Sequence, residues 1–249
     1  VAVSGGRTAG GAPVALVTGA AGGLGRAATA LLRERGMRVV ATDLALAALP
    51  CTDPGFEMQS LDVTDEQAIA DCVEGVLSRH GRLDHVIHLA GRAGVGPLDV
   101  VTRSDWDAIL AVNLTSAFLL ARAVHEALAQ SRGSLVLTSS TNAINGGSAL
   151  SGPAYAVAKA GLVNLTRYLA KEWAAQGIRV NCLAPGPIDT PMVTGRFTPD
   201  VQARLRSSVP LGMIGHPRHV AHAIGYLTSP DAAFVTGTVM NLSGGLVLD

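Results

Sequence analysis

A chain of 249 residues is long enough to bury a large core as one domain, or two at most. Lysine plus arginine and aspartate plus glutamate balance at 19 each, so no net field draws the chain to nucleic acid or to an anionic membrane. Three cysteines, Cys51, Cys72 and Cys182, lie far apart without a C-x-x-C pair, which excludes a disulfide framework and a zinc-ribbon pattern; no metal is expected.

The first dozen residues, "VAVSGGRTAGGA", are small and Gly-rich and bury too little apolar surface to offset their ordering entropy. A flexible tail is expected over 1–12 and a single domain over 13–249. Short β-branched runs then recur at 13–18 ("PVALVT"), 37–42, 84–90, 133–139, 178–184 and 237–243, with a weaker one at 56–62. Helical segments separate them. Within "LTSAFLLARAVHEALAQ", Leu114, Phe118, Ala121, Val124 and Leu128 recur every three or four residues and make one apolar face, as do Leu162, Leu165, Leu169 and Trp173 after Tyr155. Near-continuous apolar strands alternating with amphipathic helices predict a doubly wound α/β fold of Rossmann type, a parallel sheet of about seven strands with helices on both faces. The apolar runs stop short of the ~20 residues that span a bilayer, and no basic segment precedes an apolar stretch at the start. A soluble, cytoplasmic protein is expected.

The first strand runs into "TGAAGGLGRAATALLRERG", where Gly19, Gly23 and Gly25 bracket the turn into a helix. Side-chain-free backbone there lets a pyrophosphate approach, and the free N–H groups of the helix start meet its charge. The second strand ends in "VVATD", placing Asp43 18 residues after Gly25, close to the ~20 expected of an acid that accepts from the adenosine ribose hydroxyls. A carboxylate there repels the 2′-phosphate of NADP, and neither "TDLALA" nor the loop before Gly25 carries a cation. The expected cofactor is therefore NAD, against the alternative that Asp43 only caps the following turn. Asp62 reads either as a partner of the adenine ring or as a helix N-cap.

Tyr155 and Lys159, at i and i+4, share a helix face, so the ammonium can lie near the phenol and favour its ionised form. Loss or gain of an alcohol proton during hydride transfer needs such a group. "TGAAGGLG" (18–25), Asp62-Val63, "LAG" (89–91), "VNLTSAF" (112–118), "TSS" (138–140), "YAVAK" (155–159), "PGPIDTPM" (185–192) and "LSGG" (242–245) follow one another in an order and spacing that resembles the short-chain dehydrogenase/reductase family. The resemblance covers residues 13 to about 245. It implies that Leu24, Val63, Ala90, Gly91, Pro185 and Gly186 join the glycines around the dinucleotide. Ile188 would cover a nicotinamide face, and Thr190 would bond the carboxamide. Lys159 would hold the nicotinamide ribose, and Asn113 would keep a water in a proton relay toward Lys159. It also implies a homotetramer packed partly through the helices that begin near 113 and 155.

The family's substrate-orienting hydroxyl usually stands 13 residues before the tyrosine, where this chain has Asn142; Ser140 stands 15 before. Either the loop carries two extra residues and Ser140 acts, or Asn142 supplies the contact. Loop tolerance favours Ser140. Ser139 should point to the other side of the strand, and Ser151 should cap the helix of Tyr155. The substrate pocket should draw on Asn142 to Gly152, Pro187 and a lid over 192–213. His88 replaces a usual Asn and reads as a satisfied buried group. His216, His219 and His222 suggest a metal only weakly, because Pro217 should start a helix that leaves His216 off its face; a solvated patch, or attraction of an acidic substrate, are the other readings.

These residues predict an NAD(H)-dependent oxidoreductase that interconverts a small-molecule secondary alcohol and a carbonyl. An NADPH-dependent 3-oxoacyl or carbonyl reductase and a non-catalytic dinucleotide sensor are the alternatives.

Overall fold

The first strand, β1 (Val14–Thr18), is apolar along its whole length because helices cover both of its faces, and all five residues are buried. It is an interior strand of the sheet in a computed structural model that describes residues 11–45, 56–94, 96–148, 150–191 and 198–248. The expected tail falls outside these residues except for Gly11 and Ala12. Around β1 stand β2 (Arg38–Asp43), β3 (Phe56–Ser60), β4 (His85–His88), β5 (Ser134–Thr138), β6 (Arg179–Pro185) and β7 (Val239–Leu242), in the order β3-β2-β1-β4-β5-β6-β7. Every pairing is parallel, so no two paired strands are joined as a hairpin. The predicted doubly wound α/β sheet is the observed one.

Connections leave β1 on one side toward β2 and return on the other to β4, which opens a crevice at the carboxyl ends of these strands. On one face, α1 (Gly23–Glu34) and α8 (Pro217–Leu227) pack Leu32, Ile224 and Leu227 onto the sheet. On the other, α2 (Glu66–His80), α4 (Ser116–Ser131) and α6 (Pro153–Trp173) contribute Val76, Leu120 and Leu162 to a larger core. Shorter helices α3 (Arg103–Leu110), α5 (Asn142–Asn145) and α7 (Pro199–Ser208) border the crevice side of the chain.

Of the apolar face expected over Leu114, Phe118, Ala121, Val124 and Leu128, Phe118 alone turns outward. A π-helical turn, Ala111–Thr115, joins α3 to α4, and its extra residue per turn rotates the rest of the helix. The buried stripe of α4 is Ala117, Leu120, Ala121, Val124 and Leu128, while Phe118 is 47% exposed. The same junction makes Arg103–Ser131 one helical run, long and apolar enough to cross a membrane by length and composition. Its apolar stretches are still interrupted by Asn113, Arg122 and Glu126, as expected. Its buried stripe packs on the sheet and into the core.

Two helix starts differ from expectation, and a third, at Pro217, falls where it was expected. Asp65, not Asp62, caps α2 by accepting from the Ala68 N–H; Asp62 instead accepts from the N–H and hydroxyl of Thr64 at 2.8 and 2.7 Å. Gly152 is the N-cap of α6 with no side-chain cap, and Ser151 donates its hydroxyl to the Ser148 carbonyl. His216 caps α8 by accepting from the Arg218 N–H, in a reciprocal pair with His219. Among the described residues no group of three or more His, Cys, Asp or Glu side chains is placed to hold a metal ion. Cys72 and Cys182 are free and buried, and Cys51 lies outside the described residues.

His88, at the end of β4, is 2% exposed and fully engaged. Ser116 gives its hydroxyl proton to the Val112 carbonyl, so its oxygen accepts from His88 Nε2–H at 3.0 Å, and His88 Nδ1 accepts from the Thr18 hydroxyl at 2.7 Å. The network assigns this neutral tautomer. Burial, with the Lys159 charge adding to it, pushes the imidazole down to about 3. Between the ordinary histidine value and that value the unfolded chain takes up a proton that the folded chain refuses, so stability rises with pH through this window and is lost as the pH falls. Urea unfolding at pH 7.5 and 4.5 should show wild type losing roughly 2–3 kcal/mol more on acidification than His88→Asn.

Candidate active site

At the crevice, β1 ends and the chain turns through Gly19, whose φ of +68° favours glycine. A Cβ on Gly19 would lie 2.6 Å from the Ala90 nitrogen, and one on Gly25 would collide with the Gly19 carbonyl. Only bare backbone lets the turn, the helix and the β4 loop close together. No side chain caps α1, so its first N–H groups face the crevice without a side-chain acceptor. The resulting cleft of about 720 Å³ is lined along one wall by Gly19, Gly23, Leu24 and Gly25, and along the other by Asp62, Val63, Ala90 and Gly91.

Asp43 lies at the outer end of this cleft. One carboxylate oxygen accepts from the Ala21 N–H at 3.0 Å and the other from the Ala45 N–H at 3.1 Å. It therefore caps the turn and ties the Gly-rich loop to β2 while still facing the cleft. Arg26 lines the same cleft and donates from Nε to the Ala21 carbonyl. A scan of the sequence for cations that ends at Gly25 misses it; the cue is its place one residue after the last glycine.

The cleft continues inward. Leu24, Gly91 and Thr190 also line a smaller cavity that reaches Asn113, Ser140, Tyr155, Lys159, Pro185 and Ile188. The segment carrying Ile188 and Thr190 is held against Gly215 by two main-chain bonds, Asp189 N–H to Gly215 O at 2.7 Å and Gly215 N–H to Pro187 O at 2.9 Å. Ser140, Tyr155 and Gly186 in turn border an outer pocket of about 290 Å³, which Asn142 and Pro187 also line. The lid expected over 192–213 enters the described residues only from Thr198, where α7 brings Leu205 to this pocket.

Pro153 opens α6, and its regular geometry puts Tyr155 and Lys159 one turn apart, with Lys159 Nζ 5.4 Å from the phenol ring centre. Burial raises the Tyr155 hydroxyl above its ordinary value, and its hydrogen bond with Ser140 opposes that rise. Of the two candidate partners, Ser140 lines both cavities with Tyr155, whereas Asn142 lines only the outer one. Ser139 turns the other way and donates to the Lys159 carbonyl at 2.6 Å.

Lys159 is 5% exposed and donates to the Thr138 carbonyl at 2.7 Å. This carbonyl fixes the ammonium and was not anticipated, because main-chain acceptors leave no mark in a sequence. Asn113, fully buried in the π turn, donates from its amide to the carbonyls of Arg92 and Ile109 at 2.9 and 3.0 Å. Both amide protons are thereby fixed, and Oδ1 has no partner among the described residues. A Cβ on Gly91 would lie 2.6 Å from that oxygen and 3.5 Å from Lys159 Nζ. An orphaned buried acceptor facing a cation with spare protons is a site built to hold a polar bridge.

The fold, the cradle and the tyrosine–lysine pair define an oxidoreductase of the nicotinamide-dinucleotide class. The family model described as enoyl-(acyl carrier protein) reductase matches residues 19–247, and the chain belongs to the short-chain dehydrogenase/reductase family. It is 37% identical to the 3-oxoacyl-[acyl-carrier-protein] reductase of Thermotoga maritima, over 94% of this chain and 98% of that one. It is 38% identical to the cis-4-hydroxycyclohexanecarboxylate dehydrogenase of Sinomonas cyclohexanicum, over 93% and 95%. Among solved structures it resembles a glucose/ribitol-type short-chain dehydrogenase from Brucella melitensis, at 29% identity and a TM-score of 0.90 over 95% of this chain and 97% of that one.

Burial pushes the Lys159 ammonium down to about 8. Between that value and the ordinary lysine value of 10.5 the unfolded chain holds a proton that the folded chain has released, so stability rises with pH through this window. Comparing urea unfolding at pH 7.5 and 10, wild type should gain roughly 2–3 kcal/mol relative to Lys159→Met.

Proposed function

We propose that this chain is an NAD(H)-dependent dehydrogenase that interconverts a secondary alcohol and a ketone, with Tyr155 as general acid and base. The observation that carries this is that Tyr155 and Ser140 line both the inner cavity, with Lys159 and Asn113, and the outer pocket, and so stand where the two meet. When bound, the nicotinamide dinucleotide accepts or supplies the hydride. Ser140 holds the substrate oxygen, and Tyr155 takes the proton from the alcohol or returns it to the carbonyl. A phenol raised by burial suits the donor direction. For oxidation, the Lys159 charge and the Ser140 hydrogen bond both favour the phenolate. Asn113 Oδ1 holds a solvent molecule that links Lys159 onward to bulk water, and Ile188 and Thr190 orient the nicotinamide end.

Tyr155→Phe is expected to cut kcat by at least ~10³-fold while dinucleotide binding, followed by fluorescence, stays within a few-fold; Ser140→Ala should lose roughly 10²-fold. Turnover retained by Tyr155→Phe would sink the reading.

The Asp43 carboxylate supports NAD, since it meets the adenosine end of the cleft and opposes a 2′-phosphate. Arg26 supports a second reading, an NADPH-dependent 3-oxoacyl or carbonyl reductase, because its guanidinium borders the same end. Initial rates with the two cofactors separate them. Wild type should prefer NAD, and Asp43→Ser should move the preference toward NADP by ~10-fold or more through removal of one repulsive charge.

A homotetramer packed through α4 and α6 fits the aromatic groove between these helices, where Phe118 and the 61% exposed Tyr168 stand with Trp173 beneath.

A further inference from the structure

Resting on the placement of Ile188 and Thr190 at the nicotinamide end proposed above, we infer that His216 and His219 are positioning residues for dinucleotide binding, a two-histidine clasp that holds this segment only while both imidazoles are neutral. The start of α8 is closed by a reciprocal pair. The His216 main-chain N–H donates to His219 Nδ1 at 3.1 Å, and the Arg218 N–H donates to His216 Nδ1 at 3.2 Å. A capping box usually takes a hydroxyl at its first position and a carboxylate or amide at its fourth. Here both acceptors are imidazole nitrogens, which accept only in the neutral ring and become donors when it is protonated. Each ring therefore carries its proton on Nε2.

One residue joins the clasp to the site. Gly215 precedes His216, and its main chain makes both bonds that hold the Pro187–Asp189 segment. A Cβ on Gly215 would lie 2.5 Å from Ile188 Cδ1 and 3.9 Å from His219 Nδ1, so Ile188 and a capping nitrogen flank the same glycine. Ile188 is buried and lines the inner cavity with Thr190. Beside the pair stand Arg218 and His222 on α8 and Asp189 on the bridged segment. Of the elements packed on α8, α1 turns Arg26 to the Ala21 carbonyl and brings Arg35 to Gly225, while Arg179 of β6 donates to the Leu227 carbonyl at the far end. No carboxylate pairs with either ring among the described residues. Protonation would thus remove an acceptor and set an uncompensated cation against the positive end of a helix. The closed clasp refuses a proton that the open one takes up, so it weakens as pH falls through the range where histidine ordinarily changes charge.

The test compares wild type with His216→Ser/His219→Gln, which rebuilds the box from acceptors that do not titrate, and with His216→Ala/His219→Ala, which removes it. NAD affinity, read by calorimetry, and hydrogen exchange at the Asp189 and Gly215 amides are measured at pH 8 and pH 5.5. Comparing proteins at one pH cancels the titration of every other group. At pH 5.5 wild type is expected to bind NAD about threefold or more weakly than the rebuilt variant, and to exchange both amides about threefold or more faster, as the loss of a helix cap allows. At pH 8 these two should agree within about twofold, and the stripped variant should already show the weaker binding and faster exchange. The inference is overturned if wild type and the rebuilt variant respond alike to acid, if exchange differs while NAD affinity does not, or if the stripped variant matches wild type at pH 8. Absence of NAD binding by all three proteins at both pH values would instead remove the parent reading, and the exchange comparison, which needs no dinucleotide, keeps that failure apart from failure of the clasp.

Discussion

A lysine ammonium buried at the meeting point of β5, α6 and the π turn is the constraint on which this site depends. A charge removed from water must find partners or lose its proton. The surroundings of Lys159 do some of each: the Thr138 carbonyl accepts from it, and burial still lowers its proton affinity. Ser139, on the same strand end, fastens to the Lys159 carbonyl and sets the helix against the strand. Gly91 has to be bare because Asn113 and Lys159 approach the space its Cβ would fill. Even His88, bonded to Ser116 and Thr18 rather than to the lysine, is kept neutral partly by that charge. The substitution of His for a usual Asn at this place is accommodated because both ring nitrogens find hydroxyls.

Much of this was legible in the sequence where the chemistry is local. Tyr155 and Lys159 are one helical turn apart whatever the loops do, and glycines between a strand and a helix imply an exposed helix start wherever the sheet lies. Parallel strands announced themselves as unbroken apolar runs because both faces are covered. The features that the sequence could not resolve depended on paths through space. The choice between Ser140 and Asn142 turned on where a loop of small residues goes; in the structure each has its own position, Ser140 against the phenol and Asn142 against the open pocket. Phe118 reads as part of the buried face from its spacing with Ala121, but the stripe centres on Ala117, Ala121, Val124 and Leu128, about a quarter turn away from it.

Polar residues near helix starts mislead for a related reason. Asp62, Ser151 and His216 all stand close to a helix start, and which of them caps depends on a shift of one or two residues that composition does not record. Asp65 takes the role expected of Asp62, and Ser151 turns back into its own loop. Asp43 shows that its two readings were not exclusive. Two main-chain N–H groups hold the carboxylate at the strand end, and the same residue lines the cleft.

The two halves of the site are built from different materials, which explains why one is more readable than the other. The dinucleotide half is backbone: bare glycines, an uncapped helix start and a bridge between Gly215 and the Pro187–Asp189 segment. Its shape comes from the reversal of the sheet at β1 and is shared by any chain that folds this way. The substrate half is made of side chains on α5, on the loop from Gly146 to Gly152 and on α7, where insertions cost little because closing a slightly longer loop changes the entropy by a fraction of a kcal/mol. The 15-residue separation of Ser140 from Tyr155 therefore leaves the reacting groups in register and puts its extra length where the pocket wall is. The catalytic geometry and the substrate preference can change independently in this architecture.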